Sequence, residues 1–382
     1  MFSKCIKGGR LAPQIVRATR MNSTGGVWSD FSKRPTSLQI SDSDIKKGVF
    51  NKISETEGPE SITVQERRAT YHSPLEIDET FSLAYDLLQK DSNELYQQVD
   101  KLNEKISQTT SQQEKAHLIG ERDQLLVDAE IQNPEVLYNI EYESPETIDR
   151  THPVYRALLK KKWESYGLMV TMQRLEQLHV IPDTLPTLEP TADIKVKFPH
   201  NTLPQFSSWV VPGTVLPTKV VNQPPTIQVD QFENVEEGAL YSVLLVNPDT
   251  PDLTTNSFST TLHYGLANVS LSNSDNVIDS KKLLEIGDKI TFKPYVPLTP
   301  EVNAQNQRAC LWVFKQNSPL DIKQVESDHF DIRQFVDQHQ LTPVGAHVWR
   351  QHYDRHVNET REKYGLGKGN VYHRVRKDCP MV

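Results

Sequence analysis

Phe81, Tyr85, Leu88, Ser92, Leu95, Val99, Leu102 and Ile106 stand 4-3-4-3-4-3-4 apart along the chain. A mean spacing of 3.5 held over this length commits the stretch to an amphipathic helix with one apolar seam, and a seam must be covered. A second helical run, about residues 112–132, carries Leu118, Leu125, Leu126 and Ala129 and stops at Asn133-Pro134, because a residue before proline is steered out of the helical region. A third run opens with Thr151 as N-cap and Pro153 in its first turn, then continues to about His179. Its apolar side holds Leu158, Leu159, Trp163, Met169 and Leu175. Two readings of the seam stand side by side: an intramolecular αα-hairpin, or an arm that packs on a partner. Residues 78–150 hold seventeen acids and six bases, a surface suited to meeting proteins rather than phosphates.

Charge divides the chain further. The 382 residues carry 42 basic and 50 acidic side chains, net −8. Residues 1–29 hold Lys4, Lys7, Arg10, Arg17 and Arg20 without one acid, so the remainder is −13. The first 26 residues also lack a continuous apolar core, which excludes a secretory signal and fits a mitochondrial presequence; the alternative is a basic terminus with no targeting role. Residues 27–76 are Ser-, Asp-, Lys- and Glu-rich without a period and read as an extended, partner-dependent arm. Residues 361–382 return to net +4. No stretch reaches the roughly 20 apolar residues of a membrane-spanning helix. Cys5, Cys310 and Cys379 supply neither a disulfide framework nor a paired-thiolate zinc site.

After Ile181-Pro182 the texture becomes β. Short apolar runs at 194–198, 215–221, 241–246, 262–269, 289–292 and 310–315 alternate with Pro-, Asn- and Asp-bearing turns, which predicts an antiparallel β domain. A late helix is expected over 331–339 with Phe335 and Val336 inward. Beyond Tyr353 the chain is charged and glycine-bearing, a tail expected to fold only against something else.

Three pieces of this region belong together: Leu244–Pro251 (LLVNPDTP), His263–Val269 (HYGLANV), and Tyr295-Val-Pro297 leading to Arg308–Gln316 (RACLWVFKQ). In order and spacing they resemble the phosphatidylethanolamine-binding protein family, with its D-P-D-x-P turn, W-H-H strand and P-P-x-G-T-G-x-H-R-Y segment. The resemblance covers about residues 182–355. It implies a small pocket for an anionic head group, and the match there is partial. Asp249, Pro251 and His263 stand at the second turn acid, the turn proline and the pocket histidine. Asn247 replaces the first acid, Gln307 the second histidine, Thr261-Leu262 the tryptophan-histidine pair, Asn303-Ala304-Gln305 the glycine-threonine-glycine stretch, and Ala309 an aromatic. A site that loses a charge, a titratable donor and its glycines reads as vestigial. The residues also have plain structural readings. His263 suits a hydrogen-bonded core position, Asp249 an Asx-type turn, and Cys310 a buried small apolar one. His347, His352 and His356 lack the neighbours of a metal site. No nucleophile–base pair, P-loop or dinucleotide fingerprint is present, so neither catalysis nor a cofactor is expected.

The whole chain, from about Trp28 onward, resembles mitochondrial large-subunit ribosomal proteins of fungal type that carry such a domain. The stretches concerned are Asn133–Val136 (NPEV), Trp163–Gly167 (WESYG), Met172–Glu176 (MQRLE), Ile181–Leu188 (IPDTLPTL) and Arg361–Leu366 (REKYGL). The organisation this gives is a presequence (1–26), an arm (27–76), a helical extension (77–181), the β domain (182–355) and a basic tail (356–382). The resemblance implies a structural constituent of the mitochondrial ribosome near the central protuberance, with large-subunit ribosomal RNA and neighbouring ribosomal proteins as partners. Candidate RNA contacts are Lys363, Lys368, Arg374, Arg376 and Lys377, interleaved with Tyr364, Tyr372 and His373; the alternative is a solvated basic end. The competing function is a mitochondrial anion- or phospholipid-head-group-binding regulator using Asp249 and His263.

Overall fold

A computed structural model describes residues 26–50, 64–71, 74–144, 147–201, 203–235, 238–322 and 325–373. The presequence, apart from Gly26, lies outside them, as do Cys5, Cys379, Arg374, Arg376 and Lys377. The chain forms two compact units, Met1–Glu135 and Val136–Val382.

In the first unit the heptad helix runs Ile77–Gln108, and a short turn returns it into the helix Gln112–Glu130. The two pack on each other, so the seam closes within the chain as a hairpin. Ser92 and Val99 of the seam are buried, with Gln89 and Tyr96 beside them. Leu88, Leu95, Leu102 and Ile106 are half-buried. Asn133-Pro134 both ends a helix and starts one: Asn133 Oδ1 accepts from the Glu135 amide at 3.0 Å as Pro134–Tyr142 begins.

Residues 27–50 are not an extended arm. Two 3₁₀ turns, Val27–Ser29 and Thr36–Leu38, and a helix, Ser43–Phe50, place Trp28, Leu38 and Ile40 in the core of this unit. The physical reason is a buried polar knot. Arg34 meets Glu130 with Nε at 2.8 Å and Nη2 at 3.0 Å, and also donates to the Trp28 carbonyl. Tyr96 Oη and Asn133 Nδ2 donate to the same carboxylate at 2.6 and 2.7 Å, and the Trp28 indole donates to the Ala129 carbonyl at 3.3 Å. A charge taken out of water is tolerated only when paired and hydrogen-bonded as fully as this.

The second unit carries helices Pro153–Lys162 and Leu168–Gln177 joined by one π-type turn, Trp163–Gly167. His152, not Thr151, caps the first, its ring Nδ1 accepting from the Val154 amide at 3.3 Å. Thr151 is already committed, donating its hydroxyl to Asp149 at 2.5 Å. Eight strands follow: β1 (Ala192–Lys197), β2 (Thr226–Gln231), β3 (Leu240–Asp252), β4 (Ser257–Ser270), β5 (Val277–Ile278), β6 (Thr291–Lys293), β7 (Gln307–Lys315) and β8 (Thr342–Gln351). They make a three-stranded sheet, β1-β2-β5, and a five-stranded sheet, β6-β4-β3-β7-β8, with antiparallel ladders throughout.

Alternation along β3 and β7 builds two cores from one sheet. Val243, Leu245, Leu311 and Val313 face a cluster shared with Ile194, Val229 and Trp349. Leu244, Val246, Trp312 and Phe314 face the other way, against Leu175, Leu185 and Phe335. Phe335 comes from the late helix Ile332–His339, which Asp331 caps by accepting from the Arg333 and Gln334 amides. Residues 215–221 do not form the strand expected there. Pro217 removes a ladder donor, and the segment is pinned by Leu216 donating to the Arg350 carbonyl and Arg350 donating to the Thr214 carbonyl, both at 2.8 Å.

The described part of the tail folds on its own unit rather than awaiting a partner. Arg361, in the helix Val357–Lys363, donates to the Gly367 carbonyl and to Thr299 Oγ1 at 3.1 and 3.2 Å. Tyr364 Oη donates to the Asn222 carbonyl at 2.7 Å, and Tyr372 donates its amide to the Val302 carbonyl at 3.0 Å.

Candidate functional site

The residues that stand at the head-group positions lie on three adjacent strands: Asn247, Asp249 and Pro251 on β3, His263 on β4, Gln307 on β7. Adjacency in the sheet brings Asn247, Asp249 and Gln307 together, whereas His263 finds its partner outside this group. Asn247 Nδ2 donates to Gln307 Oε1 at 3.1 Å and to Thr250 Oγ1 at 3.2 Å, while its Oδ1 accepts from the Asp249 amide at 3.0 Å. Asn247 therefore makes the Asx turn that the sequence suggested for Asp249. Both Asn247 and Gln307 are buried. Pro251 pairs with Phe258 in the β3–β4 ladder.

Asp249 is held by Arg308, the residue next to Gln307. Its Oδ2 accepts from the Arg308 amide and Nε, both at 2.8 Å, and its Oδ1 accepts from Nη2 at 2.5 Å. This is the two-pronged arginine–carboxylate geometry, which fixes both partners. The remaining nitrogen, Nη1, donates to Asp183 Oδ2 at 2.8 Å and to the carbonyls of Leu178 and His179 at 2.7 and 3.0 Å. Burial opposes the arginine's charge, but the hydrogen bonds to Asp249 and Asp183 outweigh it and raise its pKa. The turn acid thus spends both oxygens on an internal clamp between β3, β7 and the chain leaving helix Leu168–Gln177. Arg308 lies within the family motif, but its role as a clamp depends on neighbours that the motif does not contain. An arginine three residues before Leu311-Trp-Val-Phe314, in a strand otherwise buried, is the available signal.

His263 donates from Nδ1 to the Val296 carbonyl at 2.9 Å, and the Val296 amide returns a bond of the same length to the His263 carbonyl. Burial draws its imidazole down to about 4, and Lys293 nearby adds to the fall. At neutral pH the ring is an uncharged structural donor, unsuited to holding a phosphate by charge. Burial likewise pushes the Cys310 thiol up, so it is not a ready nucleophile. Among the described residues no group of three His, Cys, Asp or Glu side chains is placed to hold a metal ion, and no helix is long and apolar enough to cross a membrane.

Of the candidate RNA contacts, Lys363 ends its helix with Nζ 5.4 Å from the Tyr364 ring centre, and Lys368 is exposed between glycines. Tyr364 and Tyr372 are engaged on the protein; burial, then the bond to Glu301, pushes the Tyr372 phenol up to about 12.

Residues 206–349 match the family model for phosphatidylethanolamine-binding protein, and the chain carries a domain of that kind. Its antiparallel sheets and its helical N-terminal region make the mixed fold expected from the sequence. The chain is similar, 32% identical over 212 residues, to large ribosomal subunit protein mL38 of Schizosaccharomyces pombe. That match takes in 54% of this chain and 64% of the relative, just short of two thirds of its length. Among solved structures, carboxypeptidase Y inhibitor bound to its proteinase is 15% identical with a TM-score of 0.39, covering 49% of this chain and 96% of the inhibitor. The phosphatidylethanolamine-binding protein of Plasmodium vivax is 15% identical with a TM-score of 0.36, covering 48% of this chain and 98% of that one.

Proposed function

We propose that this chain is a non-catalytic structural constituent of the large subunit of the mitochondrial ribosome, placed near the central protuberance and supporting mitochondrial translation. In this reading residues 1–26 direct import, 27–181 form an N-terminal extension, 182–355 are a phosphatidylethanolamine-binding-protein-like domain whose pocket is vestigial, and 356–382 supply a basic tail. Its partners are large-subunit ribosomal RNA and neighbouring ribosomal proteins. The observation that carries the reading is the identity shared with large ribosomal subunit protein mL38. The geometry supports it. An anion site must present unspent donors in a preformed cavity, whereas Asn247, Asp249 and Gln307 bond to one another and to Arg308. The same bonds disfavour a head-group-binding regulator.

Sedimentation of a mitochondrial lysate tests the proposal. The protein should travel with the large subunit and leave that position when the RNA is digested. Recovery only at the top of the gradient, in intact low-salt lysate, would remove the ribosomal assignment.

A further inference from the structure

Away from the head-group positions, the second unit holds a cavity of about 740 Å³ between the 148–151 loop, the ends of β1 and β2, and the start of helix Ser280–Ile290. That volume lies within the range of small-molecule and nucleotide sites. Trp209 forms part of its wall and keeps some of its surface exposed, with Lys197 Nζ 5.6 Å from the ring centre. Lys281 lies on the rim and is exposed.

Both aspartates of the lining are held by hydrogen bonds of their own. Asp149 is turned onto Thr151, accepting from its amide at 3.0 Å and its hydroxyl at 2.5 Å. Asp279 caps the helix by accepting from the Lys282 amide at 2.9 Å. Arg150 is matched by Asp230 at 3.1 Å. Neither Lys197 nor Lys281 has an ion-pair partner among the described residues. Gln228 and Asn276 complete the floor, each held by donating an amide hydrogen to Asp230 Oδ1 at 2.7 Å. Their carbonyl oxygens are therefore fixed in place before any ligand arrives.

An aromatic face, two unpaired ammonium groups and rigid amides form the set that recognises one unstacked nucleotide: base on the ring, phosphate between the lysines, base edge on the amides. We infer that this cavity takes a single unpaired nucleotide of an RNA strand. The inference rests on the ribosomal reading for the source of the RNA, and it moves the main RNA contact from the tail to the β domain.

The purified full chain is mixed with a single-stranded RNA of about a dozen nucleotides containing 5-bromouridine, and separately with free UMP. The expected cross-link is at Trp209. Trp209→Ala should weaken oligomer binding about tenfold, with Trp209→Phe restoring most of it, since only stacking is asked of the ring. Lys197→Ala with Lys281→Ala should reduce the salt slope by about 0.7, the value for one single-strand phosphate. Oligomer binding unchanged in both variants, or no oligomer binding by the wild type, overturns the inference. UMP bound as tightly as the oligomer assigns the cavity to a free nucleotide and overturns the RNA assignment. Because the oligomer assay needs no ribosome, its failure beside normal co-sedimentation defeats this inference alone. Loss of co-sedimentation beside normal oligomer binding defeats only the ribosomal reading.

Discussion

Two buried carboxylate–arginine pairs hold the chain together at points that are far apart in sequence. Glu130 and Arg34 have side chains 0% and 1% exposed. Glu130→Gln keeps the shape but leaves a guanidinium buried beside a neutral amide, so the first unit should lose about 3 kcal/mol. Urea unfolding of the full chain, followed through the first transition, measures it. Asp249 and Arg308 are less deeply placed, at 20% and 16%, and Asp249→Ala should cost roughly 2 kcal/mol with no change in binding of a phosphorylated head group. Tight head-group binding lost in that variant would restore the pocket. A pH effect follows from His347 on β8, whose Nε2 donates to the Val210 carbonyl at 3.0 Å and whose ring burial draws down to about 4. The unfolded chain, with its histidine near 6.5, binds a proton that the folded chain refuses. This contribution is complete above about pH 6.5 and is lost as pH falls towards 4, on the order of 3 kcal/mol. His263 acts in the same sense. Melting between pH 4.5 and 7.5 should show the loss, and His347→Gln should flatten it. The motif locates Asp249 and His263 and suits His263 to a hydrogen-bonded core position, but which group each bonds to depends on strand neighbours, and the partners of Arg34 leave no periodic trace.

The helices and strands were more legible, because period is a local property. The 3.5 spacing located Ile77–Gln108 and its inner face, and the alternation of short apolar runs located β1, β3, β4 and β7. Failures have physical causes. β2 reads Thr-Ile-Gln-Val-Asp-Gln, and its Gln228 and Asp230 are buried only because an ion-pair and amide network satisfies them. β8 is interrupted by Gly345, where a side chain would come within 2.7 Å of Ile194, so the residue that permits sheet packing also weakens the strand signal. Segment 27–50 reads as an arm since its few apolar residues have no repeat, yet Trp28 and Leu38 are almost wholly buried. The hairpin gives a prediction at this scale. Val99, 4% exposed, is a buried residue of the seam. Val99→Asp places an unpaired carboxylate there, which costs several kcal/mol. Hydrogen exchange should accelerate through Gln112–Glu130 while β3 and β7 keep their protection. Equal protection of the returning helix in variant and wild type would mean that the seam does not hold the hairpin.

For the whole molecule, charge sets the terms of any meeting with RNA. Without its first 29 residues the chain is net −13, so its long-range field repels a polyphosphate and attachment must come from local cationic spots. Two candidates are the Lys197–Lys281 cavity and the chain end with Arg374, Arg376 and Lys377. They make different demands. Contacts in the cavity combine stacking with two charges and should persist into moderate salt, because stacking releases no counterions. Contacts at the chain end would rest on charge, and three phosphates neutralised there would add roughly 2–3 to the salt slope. On the ribosomal reading, neutralising Arg374, Arg376 and Lys377 together should therefore lower the salt concentration at which the protein leaves the large subunit and make its release less steep in salt. The measurement is a series of salt washes of purified subunits, scored by the fraction of protein retained. If the triple variant resists salt as well as wild type, the chain end makes no phosphate contacts. If it falls off even in low salt, the basic end carries the attachment by itself and the acidic body contributes nothing to it.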